Sequence, residues 1–130
     1  MLRAKDIMTK EVITVKKDTP IYEVVELMVK HDISGVPVVE DDMSLAGVLS
    51  EKDVIILFYA SEDGTNKTVS DFMTEPATCF DENEDLVSVC DFLVKNIYRR
   101  VPVTSKGKVT GVISVRDILG HILREKVRKN

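Results

Sequence analysis

The feature that most constrains this chain is a duplication. Gly47-Val48-Leu49-Ser50-Glu51-Lys52-Asp53 returns as Gly111-Val112-Ile113-Ser114-Val115-Arg116-Asp117, a shift of 64 residues (111 minus 47). Each copy reads as the end of a short apolar strand running into a helix, with a hydroxyl at the junction and a carboxylate one helical turn later. Helix N-termini carry unsatisfied backbone N–H groups and a partial positive charge, so they suit anions. A carboxylate at that place can accept hydrogen bonds from the vicinal hydroxyls of a ribose. The same Ser-x-x-Asp spacing is also a capping box, in which both side chains satisfy the first N–H groups of their own helix. On the motif alone both readings stay open.

The rest of the chain repeats with it. Asp6-Ile7-Met8-Thr9 matches Asp71-Phe72-Met73-Thr74 at a shift of 65, and Thr14-Val15 matches Thr78-Cys79 at 64. Ile33-Ser34-Gly35-Val36-Pro37-Val38 matches Tyr98-Arg99-Arg100-Val101-Pro102-Val103, again at 65. One-residue slips are expected in turns, where insertions are cheap. Two units, about 1–65 and about 66–130, therefore tile a single module of 130 residues. Ser61-Glu62-Asp63-Gly64-Thr65-Asn66, the linker between them, is too short to let them separate far.

Each unit has the same pattern. A short helix or turn ends at Met8 or Met73, and a brief extended piece follows at residues 12–15 or 77–80. An amphipathic helix then carries Ile21, Val24, Val25 and Met28, or Leu86, Val89, Cys90 and Leu93, at i, i+3, i+4 and i+7. Thr19-Pro20 supplies a start signal, threonine as N-cap and proline at the first helical position. Two strands follow, at 36–39 with 46–49 and at 101–104 with 109–114, and the duplicated motif opens the closing helix. The expected fold is α/β, tandem β-α-β-β-α repeats packed sheet against sheet with helices outside.

Composition excludes several classes. A chain that is 44% hydrophobic and 31% charged is a globular one, with room for one sizeable core. A net charge of -4 argues against a nucleic-acid surface, although residues 124–129 concentrate cations. No apolar run reaches membrane-spanning length and no signal-peptide pattern opens the chain, so no membrane role and a cytoplasmic location are expected. Cys79 and Cys90 have neither disulfide-framework nor metal-ligand spacing and read as buried thiols. The five methionines read as core. His31 and His121 are placed near helix ends, each without a counterpart in the other unit. No Ser/His/Asp set, Cys/His pair, paired acids or glycine-rich phosphate loop stands out. The expectation is a protein that is no enzyme, with no metal and no catalytic cofactor.

Asp-h-Met-Thr, Val-Pro-Val and Gly-h-h-Ser-x-x-Asp (h, apolar), each present twice and in order from Lys5 to about Leu119, resemble a pair of cystathionine-β-synthase (CBS) motifs, or Bateman module. The resemblance implies pseudo-two-fold symmetry and a stand-alone regulatory module. Such a module would bind an adenine nucleotide (AMP, ADP or ATP) or S-adenosylmethionine in the cleft between its motifs without transforming it. Carried over by motif, pocket one would have Asp53 on the ribose, Ser50 facing phosphate or ribose, and Thr14 at the mouth. Ser34, Gly35, Val36 and Pro37 would flank the adenine with backbone and apolar surface. In pocket two, Asp117, Ser114, Thr78, Arg99, Arg100, Val101 and Pro102 would take those roles.

The pockets differ in charge. Arg99, Arg100 and Arg116 attend the second, whereas the first has Lys52 against Glu51 and a nearby Asp32. Guanidinium groups grip phosphate through paired hydrogen bonds, so the second pocket is expected to favour the more phosphorylated ligand. Val54-Ile55-Ile56-Leu57-Phe58-Tyr59 is apolar around most of a helix, and the matching helix holds Ile118, Leu119, Ile122, Leu123 and Val127. Surplus apolar faces point to a second packing surface, and the resemblance implies a homodimer through these helices. Any regulated protein would be a separate chain. The competing expectation is a structural dimerisation or assembly module with no small-molecule ligand.

Overall fold

The computed structural model describes residues 1–59 and 63–129, so Ser61 and Glu62 of the expected linker lie outside the described residues. In chain order the elements are α1 (Ala4–Ile7), α2 (Ile21–His31), β1 (Gly35–Val39), β2 (Leu45–Ser50), α3 (Glu51–Val54) and α4 (Ile56–Tyr59). A 3-10 turn (Val69–Asp71) leads to β3 (Phe80–Asp81), α5 (Leu86–Lys95), β4 (Arg100–Ser105), β5 (Lys108–Ser114) and α6 (Val115–Lys129).

The chain forms two compact units, Ile13–Ala77 and the combination of Met1–Val12 with Thr78–Asn130. These units do not follow the sequence repeat. Thr74, from the second Asp-h-Met-Thr segment, pairs with Val48 of β2, whereas Thr9, from the first, pairs with Val112 of β5. Each segment thus serves the strands of the other repeat.

In the unit Ile13–Ala77, β1 and β2 are antiparallel with Val36 opposite Leu49 and Pro37 opposite Val48. Residues 12–15, expected to be extended, contribute a single parallel bridge from Val15 to Val38. The predicted periodicity of α2 delivers Ile21, Val24 and Met28 into a core with Val36, Val38, Leu49 and Val69, while Val25 stays half-exposed. The expected cap is displaced: Pro20 occupies the N-cap position, and the Thr19 hydroxyl accepts the Lys16 N–H at 3.0 Å instead.

In the other unit, β4 pairs in parallel with β3 and antiparallel with β5, with Arg100 opposite Ser114 and Val101 opposite Ile113. Ala4, Leu86, Val89, Val101, Val103 and Ile113 form its core. Asp85 caps α5 by accepting the Val87 N–H at 3.0 Å. The β4–β5 turn places Lys106 (φ 53°) and Gly107 (φ 80°) both in the left-handed region, as tight hairpins favour.

The repeat extends to its irregularities. Register slips occur between Val38 and Val39 and between Val103 and Thr104, 65 residues apart. Five residues (40–44) separate the paired Val39 and Leu45, but only four (105–108) separate Thr104 and Val109, so the repeat shift drops from 65 to 64 in this turn. The other two expected slips, into and out of the match of Thr14 with Thr78, are absent. Val15 bridges Val38 and Phe80 pairs with Val103, which makes Cys79 and not Thr78 the counterpart of Thr14.

Four side-chain expectations need correction. Cys79 is exposed, and Cys90 is only half-buried, although that burial pushes its thiol pKa up. Met28 is buried and Met8 and Met73 pack at the core edges, but Met1 and Met43 are exposed. His121 lies inside α6 and not at its end. The run 54–59 is two helices broken at Ile55.

Candidate functional site

The glycine that opens each duplicated motif sits at a close approach, against backbone at Gly47 and chiefly against a side chain at Gly111. A Cβ on Gly47 would stand 2.7 Å from the Thr74 carbonyl oxygen, and one on Gly111 would stand 2.5 Å from Met8 Sδ and 3.0 Å from the Thr9 carbonyl oxygen. The Asp-h-Met-Thr segment therefore lies directly on the motif strand. Thr9 and Val112 exchange N–H···O bonds of 2.8 and 3.0 Å; Thr74 and Val48 do the same at 2.9 and 3.0 Å. The aspartates of these segments hold their own backbone, Asp6 accepting the Arg3 N–H at 2.7 Å and Asp71 the Thr68 N–H at 2.8 Å.

From the last residue of each of these strands, the capping reading of Ser-x-x-Asp is realised in both copies. Asp53 Oδ2 accepts the Ser50 N–H at 2.8 Å and the Ser50 hydroxyl at 3.0 Å, and Ser50 Oγ accepts the Asp53 N–H at 3.3 Å. Asp117 Oδ2 accepts the Ser114 N–H at 2.8 Å, and Ser114 Oγ accepts the Asp117 N–H at 3.1 Å. Asp117 Oδ1 also accepts the Thr9 hydroxyl at 3.1 Å. All four capping residues are half-buried. An ionised carboxylate has about four lone-pair positions, so capping leaves each aspartate able to accept further hydrogen bonds. Oδ1 of Asp53 receives none among the described residues.

The backbone joins the other expected residues to these corners. The Ser34 carbonyl accepts the Glu51 N–H at 2.8 Å, and the Arg99 carbonyl accepts the Val115 N–H at 2.8 Å. Gly35 lies opposite Ser50 and Arg100 opposite Ser114. Positions held by Ser34 and Gly35 in one unit are thus held by two arginines in the other, with Arg116 in the first turn of α6. Arg99 and Arg116 are exposed, Arg100 is half-buried, and none of the three forms an ion pair among the described residues.

The structure gathers Thr14, Ser34, Gly35, Pro37, Ser50 and Asp53 into one unit, and Arg99, Arg100, Pro102, Ser114, Arg116 and Asp117 into the other. For three of the expected residues the structure fixes the side-chain direction or the register. Val36 and Val101, 1% and 2% exposed, point into the cores, so their side chains are unavailable to line a pocket. Because side chains alternate along a strand, Pro37 and Pro102 lie on the opposite faces. Thr78 is one residue out of register, for the pairing reason given above. Thr9 is the contributor that motif reasoning missed, although its recurrence as Thr74 was a visible signal.

An open depression of about 740 Å³ in the unit Ile13–Ala77 is lined by residues 16–18, 39–42 and 44, none of them a corner residue. Its lysines are engaged: Lys16 with Asp41 and the Glu40 carbonyl, Lys17 with Glu40. On the closing helices, Val54, Leu57 and Ile118 pack against the cores, but Ile55, Phe58 and Tyr59 are exposed, as are Leu119, Ile122 and Leu123 at the matching positions 64 residues on. No residue of α6 is fully buried. Among the described residues, no helix is long and apolar enough to cross a membrane.

Comparison with known proteins places this geometry. An uncharacterised protein of Methanocaldococcus jannaschii is 31% identical over 115 residues, which are 88% of this chain and 41% of that protein. The inosine-5'-monophosphate dehydrogenase of the same organism is 33% identical over 118 residues, 90% of this chain and 23% of the enzyme. The chain thus spans less than half the length of either relative. Among solved structures, CBSX2 (a CBS-pair protein from Arabidopsis thaliana) in complex with AMP matches with a TM-score of 0.87 at 26% identity, covering 97% of this chain and 99% of that one. The CBS domain pair of protein MJ0100, in complex with 5'-methylthioadenosine and S-adenosyl-L-methionine, matches with a TM-score of 0.81 at 25% identity, covering 95% and 98%. The sequence profile of the CBS domain matches residues 4–59 and again 69–124, so the chain belongs to the CBS domain family and carries two copies of it.

Proposed function

We propose that this protein is a regulatory module that binds an adenosine-containing ligand at the Asp53 and Asp117 corners and does not transform it. The observation that carries the reading is a half-buried carboxylate, present twice at equivalent strand-to-helix corners, that retains acceptor capacity after capping its helix. Vicinal ribose hydroxyls are donors suited to that capacity. The AMP complex of CBSX2 and the methylthioadenosine and S-adenosylmethionine complex of MJ0100 support the ligand class. Arg99, Arg100 and Arg116, without ion-pair partners among the described residues, give the Asp117 corner the stronger attraction for phosphate, so the more phosphorylated ligand binds there. Binding regulates by shifting conformational populations, and only by as much as the ligand prefers one conformation.

A thermal-shift titration with AMP, ADP, ATP and S-adenosylmethionine tests this. Ligand at 100 times its dissociation constant adds about 2.7 kcal/mol. The stabilisation is expected to shrink in Asp53→Ala and Asp117→Ala, and preference for ATP over AMP to be lost in Arg100→Ala/Arg116→Ala. No shift with any adenosine compound would leave the second reading, an assembly module. A separate observation favours self-association in either case: apolar side chains face solvent at equivalent positions of α4 and α6. Light scattering is expected to give twice the 14.6 kDa chain mass, and Phe58→Glu/Leu123→Glu to return it to 14.6 kDa. A single-chain mass for the unaltered protein at 50 μM would refute the dimer.

A further inference from the structure

We propose that Thr9 is a positioning residue of the Asp117 corner, holding the carboxylate plane so that this corner separates ribose from deoxyribose more sharply than the Asp53 corner does. The proposal rests on reading Asp117 as a ribose-binding group. Rotation of a carboxylate about its terminal bond is loosely restrained by its own chain, so its plane is set by what its oxygens bind. Asp117 is held at both oxygens: the Ser114 N–H on Oδ2 at 2.8 Å and the Thr9 hydroxyl on Oδ1 at 3.1 Å. Each oxygen keeps a lone pair, and two acceptors fixed side by side match the two donors of a vicinal diol. Asp53 is held at one oxygen only, since the Ser50 N–H and hydroxyl both go to Oδ2. Its Oδ1 has no anchor among the described residues, and a diol that spans both oxygens must displace the Ser50 hydroxyl.

Thr9 is itself well placed to act as an anchor. Its backbone exchanges two hydrogen bonds with Val112, and Met8 beside it packs on Gly111. Thr74 has the same backbone pairing with Val48, yet no side-chain bond from Thr74 to Asp53 occurs among the described residues. The two corners are therefore built alike and oriented differently. A group fixed before binding costs less to order, and a fixed acceptor left without its donor penalises the deoxy ligand more.

The test uses calorimetric titration of the whole chain with AMP and with 2'-deoxy-AMP. Asp53→Ala isolates the Asp117 corner, and Asp117→Ala isolates the other. In the Asp53→Ala background, Thr9→Val is expected to reduce the AMP to 2'-deoxy-AMP affinity ratio on the order of fivefold, the effect of one hydrogen bond. Thr9→Ser is expected to restore it, which a purely structural defect would not allow. In the Asp117→Ala background the ratio is expected to ignore Thr9→Val. An unchanged ratio in the first background, an equal drop in both, or binding that survives only in Asp117→Ala would overturn the role of Thr9. Failure of the unaltered chain to bind AMP would overturn the ligand reading itself.

Discussion

Gly47→Ala isolates the contact on which the strand-to-helix corner of the unit Ile13–Ala77 depends. The added Cβ would lie 2.7 Å from the Thr74 carbonyl oxygen, 3.3 Å from Met73 Sδ and 3.6 Å from Glu75 Cβ. Ordinary carbon-to-oxygen contacts begin near about 3.3 Å, so the two segments must part by roughly 0.6 Å. The nearest obstacle is backbone and cannot swing away as a side chain would. Separation weakens the Val48–Thr74 pair, whose two hydrogen bonds measure 3.0 and 2.9 Å. Overpacking of this kind costs about 1–3 kcal/mol, and each strained bond up to about 1 more. The lower entropy of an unfolded alanine returns roughly 0.5 kcal/mol. The balance centres on a destabilisation of about 2–3 kcal/mol, read from the midpoint and slope of urea unfolding followed by circular dichroism. Gly111→Ala provides an internal contrast, because its closest neighbour is the flexible Met8 side chain. Adding Met8→Ala is expected to recover part of that loss, whereas Met73→Ala added to Gly47→Ala recovers little. A Gly47→Ala chain within 0.5 kcal/mol of the parent would refute the claim that close backbone approach is why the motif opens on glycine.

Three further outcomes are expected. Gly120→Ala, inside α6 and facing only the flexible Arg124 guanidinium at 3.3 Å, should stabilise the chain by about 0.5–1 kcal/mol in the same urea assay. Asp85→Ala removes the side-chain cap of α5 and should cost about 1 kcal/mol, seen as a lower unfolding midpoint, with Asp85→Asn close to neutral. Exposed Cys79 should react with a thiol-specific disulfide reagent before Cys90 does. Burial raises the Cys90 pKa, so less of it is thiolate at pH 8, and the slow phase left in Cys79→Ser should quicken as pH rises.

Much of this arrangement was legible because it is local. Period-3.6 apolar spacing placed α2 and α5, the paired apolar runs placed the four long strands, and Ser-x-x-Asp placed both capping boxes, since residues three apart at a helix start must meet whatever surrounds them. The failures were also physical. Thr19 lost its cap role because Lys16 offered its N–H nearby. Thr78 is not the counterpart of Thr14, because the pairing of Phe80 with Val103 set a register one residue from the one that matching letters suggested. Val36 and Val101 were expected at a pocket wall, but side-chain alternation turned them into the cores.

What the sequence determined by itself is the twofold repetition, the kind and order of elements, and the two corners with their hydroxyl and acid. What only the tertiary structure decided is which Asp-h-Met-Thr segment lies on which strand. Two similar segments face two similar glycine-bearing strands, and local pattern cannot rank those pairings. The chain resolves them crosswise, 6–9 onto β5 and 71–74 onto β2. That choice brings the Thr9 hydroxyl to Asp117 across 108 residues of sequence, a contact that no spacing rule contains because its partners meet only after the chain has folded.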